Sequence, residues 1–357
     1  MNWLLVFIPV TLLLERLDGL PPPLLFFSAA LAIVPIAALI VHSTEQVAAR
    51  TGDAVGGLLN ATFGNAPELI ICLVALQAGY VEMVRAALVG GILANLLLAL
   101  GIAFLLGGLR HHDQDFNPVA ARAYSTTMLL AAVSMAVPSA FSRQFSPQDT
   151  IREEALLNGG IAVLLLLAYG LYLLYSLKTH PRSFSSVDTG RPAEPEHGPR
   201  WSMPRALGSL VGASLAAAWM SEILVGAAEG TGKALGMSEV FIGIVFLAVV
   251  GGAAESGSAI AMARRNRMDM AVGIAFGSCI QIALFIAPVL VLASYFIAPE
   301  PMELAFSRAE MGVLAIAVLI GAMVGGDGRS NWYKGVQLVT VYAVIALMFY
   351  FAPEIAA

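Results

Sequence analysis

Two glutamates stand where an acidic side chain is least at home. Glu68 lies in GGLLNATFGNAPELII and Glu255 in GIVFLAVVGGAAESGSA, inside runs otherwise suited to lipid or a dry core. Inserting such a residue at mid-bilayer costs on the order of 2.5–3.5 kcal/mol, and no Lys, Arg or His falls mid-span to offset it. What surrounds the pair is oxygen. Asn60, Thr62 and Asn65 precede Glu68, and Asn95 and Gln281 lie on the apolar stretches that follow each acid. Pro67 has no amide hydrogen, so it is expected to release the carbonyl of Phe63, four residues earlier, while Gly64, Gly251, Gly252 and Gly257 loosen the backbone enough for carbonyls to turn inward. Glu68, Glu255, Asn65, Asn95, Gln281 and the main chain at Phe63, Gly64 and Gly251 therefore form a hard-oxygen set. Such a set suits Ca2+, which takes roughly 6–8 oxygens in flexible geometry, better than Zn2+ or Cu+, which prefer His or Cys. Two carboxylates balance one dication or two protons. A site neutral with either cargo, and doubly charged when empty, is expected to exchange the ion for protons, with Glu68 and Glu255 as the proton-coupling groups.

These side chains need a scaffold in lipid. The chain has 357 residues, 59% hydrophobic and 12% charged, against about 25% charged in ordinary soluble domains. Continuous runs such as IAVLLLLAYGLYLLYSL lack the alternation of an outer-membrane barrel and are expected to be helices of about 20 residues. The fold class is thus all-α and polytopic, with about eleven spans, near residues 3–20, 24–42, 54–78, 82–108, 119–141, 155–177, 205–228, 239–263, 270–296, 308–325 and 334–353. The first run lacks the basic start and small-residue cleavage site of a secretory signal.

The Pro-, Ser- and charge-rich stretch KTHPRSFSSVDTGRPAEPEHGPR divides the spans. The expected organisation is an accessory helix over 1–23, a first five-helix unit over 24–177, a linker over 178–204 and a second unit over 205–357. Five crossings in each unit put the second upside down relative to the first. Setting one unit over the other aligns Gly56 with Gly243, Ala61 with Ala248, Gly64 with Gly251, Ala66 with Ala253 and Glu68 with Glu255; Gly91 precedes Asn95 as Gly277 precedes Gln281. Inverted repeats of this kind are a recurrent transporter design, with the substrate held at the repeat interface. When the basic residues are sorted by loop, only Arg16, Arg85, Arg143, Arg152, Lys233 and Arg308 fall opposite the N-terminus. The positive-inside rule then places the N-terminus and the linker in the cytoplasm and the C-terminus outside.

The segments GGLLNATFGNAPELIICLVAL and VVGGAAESGSAIAMARRNRMDMAVGIAFGSCIQIALFIAPVLVL, with TEQVAARTGDAV and GGILANLLLALGIAFLLGGL, resemble the signature regions of the Ca2+/H+ exchanger (CAX) family of the cation/Ca2+ exchanger superfamily. The resemblance implies an integral membrane antiporter, of the plasma membrane in this reading. Its partners are Ca2+, H+ and lipid, it needs no cofactor and no nucleic acid, and Glu68 and Glu255 match the family's cation- and proton-binding glutamates. Family members usually read Gly-Asn-Ala-Ala-Glu-His in the second region, whereas Gly252 and Ser256 stand here in place of the Asn and His. The linker also lacks the acidic helix that many relatives carry.

Rival readings are weaker. A Na+/Ca2+ or broader cation/proton exchanger shares the architecture, but sodium sites would need more hydroxyl and carboxylate ligands at the centre. An intramembrane enzyme is suggested only by GGDG at Gly325–Gly328, where Val324 holds a position that an aspartyl protease would fill with glycine. A channel would carry similar polar groups without saturating exchange. RRNR (Arg264–Arg267), Trp3, Trp201 and Trp332 are expected at the lipid headgroups, RHHDQDF (Arg110–Phe116) as a solvated loop, and Cys72 and Cys279 inside spans. Glu45, Glu222 and Glu229, near span ends, are solvated or line the ion's path.

Overall fold

In hydrocarbon each backbone amide must find its partner within its own segment, and this apolar chain does so as helices. The computed structural model describes residues 2–17, 19–51, 53–144, 151–184 and 201–352; most of the central linker lies outside them. A short 3-10 turn leads into α1 (Phe7–Glu15), followed by α2 (Pro22–Thr51), α3 (Asp53–Phe63), α4 (Ala66–Gln77), α5 (Val81–His111), α6 (Pro118–Gln144) and α7 (Ile151–Leu173). Past the linker come α8 (Met203–Gly226), α9 (Ala228–Leu235), α10 (Glu239–Gly251), α11 (Ala253–Arg264), α12 (Met268–Ile297), α13 (Arg308–Gly326) and α14 (Trp332–Phe351).

Among the described residues eight helices are long and apolar enough to cross a membrane: α2, α5, α6, α7 with its extension to Thr179, α8 with α9, α12, α13 and α14. The sequence suggests continuous spans at 54–78 and 239–263, and the structure breaks both. α3 and α4 are separated by Gly64 and Asn65, and α10 and α11 meet at Gly252 with a bend of 58°. The expected first span is also shorter, ending at Glu15 before Arg16.

Burial sorts the helices. The apolar window of α5 is 83% buried and that of α7 only 22%, so α5 is the axis of the bundle and α7 faces lipid with Leu156, Leu164, Leu167 and Leu171 exposed. Small residues let the central helices approach closely. Gly90 of α5 lies against Ile244 of α10, and Gly243 of α10 lies against Met83 and Ala86 of α5. Further along, Gly101 of α5 meets Leu338 and Val339 of α14, and Gly335 of α14 returns against Leu105.

Two connections are ordered where unpaired backbone would be expected. The expected solvated loop after α5 forms β1 (Asp113–Asp115), paired antiparallel with β2 (Arg329–Asn331). Between these strands' exposed side chains, Gln114 is buried and donates Nε2 to the Ala263 carbonyl at 2.9 Å and to Asn266 Oδ1 at 2.8 Å, tying the ribbon to the end of α11. Asp327 of the GGDG string pairs with Lys334 at 2.5 Å beside this ribbon. Trp201 is held by more than headgroups, with Arg205 4.5 Å above its ring and its amide on Gln46 Oε1. Between α12 and α13 the chain runs extended, with Met302, Leu304 and Phe306 buried at alternate positions. Their amides are received by Ser294 Oγ of α12 (2.8 Å), Asn158 Oδ1 of α7 (3.1 Å) and Ser139 Oγ of α6 (2.7 Å). Buried backbone groups of an irregular segment are satisfied here by side chains of three helices.

The α5/α10 crossing yields a stability prediction. A Cβ at position 243 would lie 2.8 Å from the Ala86 Cβ and overlap the Met83 carbonyl. Gly243→Val is therefore expected to lower unfolding stability by about 1–3 kcal/mol, the usual range for overpacking. Gly257→Ala, at a glycine with nothing within 4 Å, is expected to melt like the parent in detergent.

Candidate functional site

The two helix breaks are built alike. α3 closes with the Gly64 amide on the Asn60 carbonyl at 2.9 Å, Asn65 turns the chain at φ −94° and ψ 27°, and α4 begins at Ala66. α10 closes at Gly251, Gly252 turns the chain at φ −79° and ψ 9°, and α11 begins at Ala253. Each glutamate is consequently the third residue of a half-helix, beside unsatisfied amides and the positive end of the helix dipole. This corrects the expected role of Pro67. It sits in the first turn of α4, where a missing amide hydrogen breaks nothing, and the Phe63 carbonyl belongs to the end of α3 whether or not a proline follows.

Both acids are buried, each 7% exposed, and all four carboxylate oxygens lack a hydrogen-bond partner. Gly251 permits the approach of Glu68, since a Cβ there would stand 2.8 Å from Glu68 Cγ. The amides are placed around them by widened helical turns. Asn95 lies in a π turn, Ala94–Ala99, and donates Nδ2 to the Gly91 carbonyl at 3.0 Å; Gln281 immediately precedes another, Ile282–Ile286. Such turns insert a residue into the helical ladder and recur at functional sites. Asn65 spans the two halves, donating Nδ2 to Gln281 Oε1 at 2.8 Å and to the Ser278 carbonyl at 3.4 Å, while its own Oδ1 is buried without a partner.

The two acids face different surroundings. Glu255 borders a cavity of about 160 Å3 shared with Glu45, Asn60, Gly64, Asn65, Ser258, Ser278 and Gln281, which is room for several waters at about 30 Å3 each. Glu68 borders a cavity of about 20 Å3, where Ile71, Cys72, Leu88, Leu247 and Ile282 are among its neighbours. One flank of the site is roomy and polar, the other narrow and lined mainly by apolar side chains. Of the three equivocal acids, Glu45 lies on the larger cavity; Glu222 is exposed and Glu229 pairs with Lys233 at 2.5 Å. Ser258 and Ser278 complete the lining and escaped the sequence reading, although each stands three residues, about one helical turn, from Glu255 or Gln281. The Phe63 side chain is 40% exposed, leaving only its main chain as a candidate donor. Among the described residues no three His, Cys, Asp or Glu side chains gather, so the donors at hand are two carboxylates with neutral oxygens.

The chain matches the model of the sodium/calcium exchanger protein family over residues 22–178 and 205–351. It is 40% identical to a Ca(2+)/H(+) antiporter of Aphanothece halophytica over 99% of this chain and 96% of that one. It is also 39% identical to the Ca(2+)/H(+) antiporter ChaA of Bacillus subtilis (strain 168), covering 92% and 93% of the two chains. In three dimensions it resembles the structure of native YfkE with a TM-score of 0.83 at 35% identity, over 97% of this chain and 98% of that one.

The contact between the halves can be tested as a pair. Gln281→Leu removes the acceptor of a buried amide and is expected to destabilise by about 1–3 kcal/mol. Replacing Asn65 by Leu as well is expected to cost less than the two single changes summed, because no orphaned donor remains; thermal unfolding of the four proteins closes the cycle.

Proposed function

This chain belongs to the sodium/calcium exchanger protein family, and from that premise we propose that Glu68 and Glu255 carry Ca2+ in one direction and protons in the other. The protein is an integral membrane Ca2+/H+ antiporter, needs no cofactor, and is not an enzyme. The observation that carries the site assignment is the pair of buried, partnerless carboxylates at matching helix breaks.

In this reading Ca2+ binds between the two acids, with the side-chain oxygens of Asn65, Asn95 and Gln281 and main-chain oxygens near Phe63, Gly64 and Gly251 helping to supply the roughly 6–8 ligands it takes. The partnerless Oδ1 of Asn65 supports this donor set. Bound Ca2+, or one proton on each acid, leaves the centre neutral and able to pass through an occluded state. Empty, it holds two like charges in a medium where unpaired charge is expensive, which prevents unproductive return and couples the two flows. Residues 24–177 and 205–357 act as two inverted five-helix repeats on either side of the linker over 178–204, with 1–23 as an accessory helix; the division of the family match at residues 178 and 205 supports this. With the N-terminus cytoplasmic and the C-terminus outside, as the distribution of Lys and Arg suggests, the larger polar cavity at Glu255 lies toward the cytoplasm and the narrow apolar flank at Glu68 toward the outer side. The plasma membrane is the proposed location.

Purified protein in liposomes tests the assignment. Glu68→Gln and Glu255→Gln are each expected to reduce uptake of Ca2+ driven by a pH gradient to background while eluting and melting as folded protein; full transport by either sinks the assignment. Protons and Ca2+ compete for the same oxygens, so lowering the pH on the Ca2+ side favours the protonated acids and raises the apparent KM for Ca2+, by up to about tenfold per pH unit for each proton displaced. A KM flat across the titration would separate the proton site from the Ca2+ site.

A further inference from the structure

The two halves match in their acids but not in what holds them. Asn65, between Gly64 and the half-helix of Glu68, reaches across to Gln281 and the Ser278 carbonyl. Gly252 occupies the corresponding place before the half-helix of Glu255. The repeat relation pairs Gln281 with Asn95, and the geometry agrees. A Cβ at 252 would meet the Ala248 carbonyl oxygen of the preceding helix at 3.2 Å and, from the other half, Glu68 Oε1 at 3.4 Å and Asn95 Nδ2 at 4.0 Å. Asn95, without a partner from the opposite half, turns back to the Gly91 carbonyl of its own helix. The site therefore has one amide latch between its halves where its symmetry would provide two.

We propose that Gly252 is a specificity-determining residue, leaving the wall of the cation site beside Glu68 and Asn95 unlatched so that divalent cations of widely different radius are accepted. This rests on the exchange reading above. Selection among hard dications depends on cavity size, ligand number and rigidity. Here the fixed side, Asn65 with Gln281, supplies position, and the unlatched side supplies adjustment. No bulk stands between Gly252 and Glu68, so the carboxylate can withdraw for a large ion and advance for a small one. A side chain at 252 would narrow that range, and an amide there would also engage Asn95 and fix it.

Cation binding is measured as the rise in melting temperature of the purified protein titrated with Ca2+, Sr2+, Ba2+ or Mn2+, and proton-driven Ca2+ uptake is measured separately in liposomes. Gly252→Asn is expected to raise the ratio of the Ba2+ to the Ca2+ dissociation constant by about tenfold, and Gly252→Ala by about two- to threefold, sizes typical of discrimination by a small change in a binding pocket. Gly257→Ala, in the same half-helix with open space around it, is expected to leave the ratio unchanged. The alanine variant keeps the test decisive if the asparagine variant does not fold, because its Cβ makes only close contacts, with the Ala248 carbonyl oxygen at 3.2 Å and Glu68 Oε1 at 3.4 Å, and no overlap below 3.0 Å. An unchanged ratio in the folded Gly252 variants, or an equal shift in Gly257→Ala, overturns the proposal. Failure of the exchange reading looks different, as absent proton-driven uptake with the shift in binding ratio intact.

Discussion

Two carboxylates share a buried site in which, among the described residues, no base is paired with either. That constraint organises the rest of the molecule. A lone buried charge is costly and a pair of like charges more so, so the centre is at ease only when something positive joins it. The fold supplies partial relief through geometry and not through counter-charge. Each acid sits at the start of a half-helix, where amide dipoles favour an anion, and the breaks that create those starts are made by Gly64 with Asn65 and by Gly252. A continuous span through either position would have buried the acid without this help. Broken helices cost regular hydrogen bonds in a place where water is scarce, which is tolerable only because the breaks line a cavity inside protein.

Much of this was legible in the residues. Glu68 and Glu255 announced themselves by the expense of an acid in an apolar run, and Asn65, Asn95 and Gln281 by being amides in similar surroundings. The all-α membrane class followed from the continuous runs. The break at 58° was not legible, because glycine and proline mark a kink and a full interruption in the same letters, and only packing against α5 decides between them. The freed carbonyl expected from Pro67 is supplied instead by the helix break itself, since α3 ends at Phe63 and Pro67 stands in the first turn of α4. The ribbon of Asp113–Asp115 with Arg329–Asn331 was invisible for a different reason: its pairing joins segments more than 200 residues apart, as the register Asp113 to Asn331 makes plain, and neither strand is apolar enough to signal burial. The roomy polar flank and the narrow apolar one are likewise tertiary facts. Glu45 from α2 and Ser258 from α11 meet in one cavity only after the bundle has formed.

The difference between those flanks gives direction to a nearly symmetric design. Glu255 has water-sized space and polar company, whereas Glu68 has Ile71, Cys72, Leu88, Leu247 and Ile282 close by. Local dielectric therefore changes across the site. An interaction made on the apolar side is stronger, and an unpartnered charge there is harder to sustain.

The extended stretch between α12 and α13 has a mechanical meaning. Its amides borrow acceptors from Ser294, Asn158 and Ser139, and Arg85 of α5 donates to the Ala305 carbonyl at 3.0 Å. Four helices are thereby stitched to a single thread. Sliding any one past the others would strand polar backbone in a greasy interior, at about 1–3 kcal/mol for each orphaned group. Those four helices are thereby held in register with one another by one irregular segment.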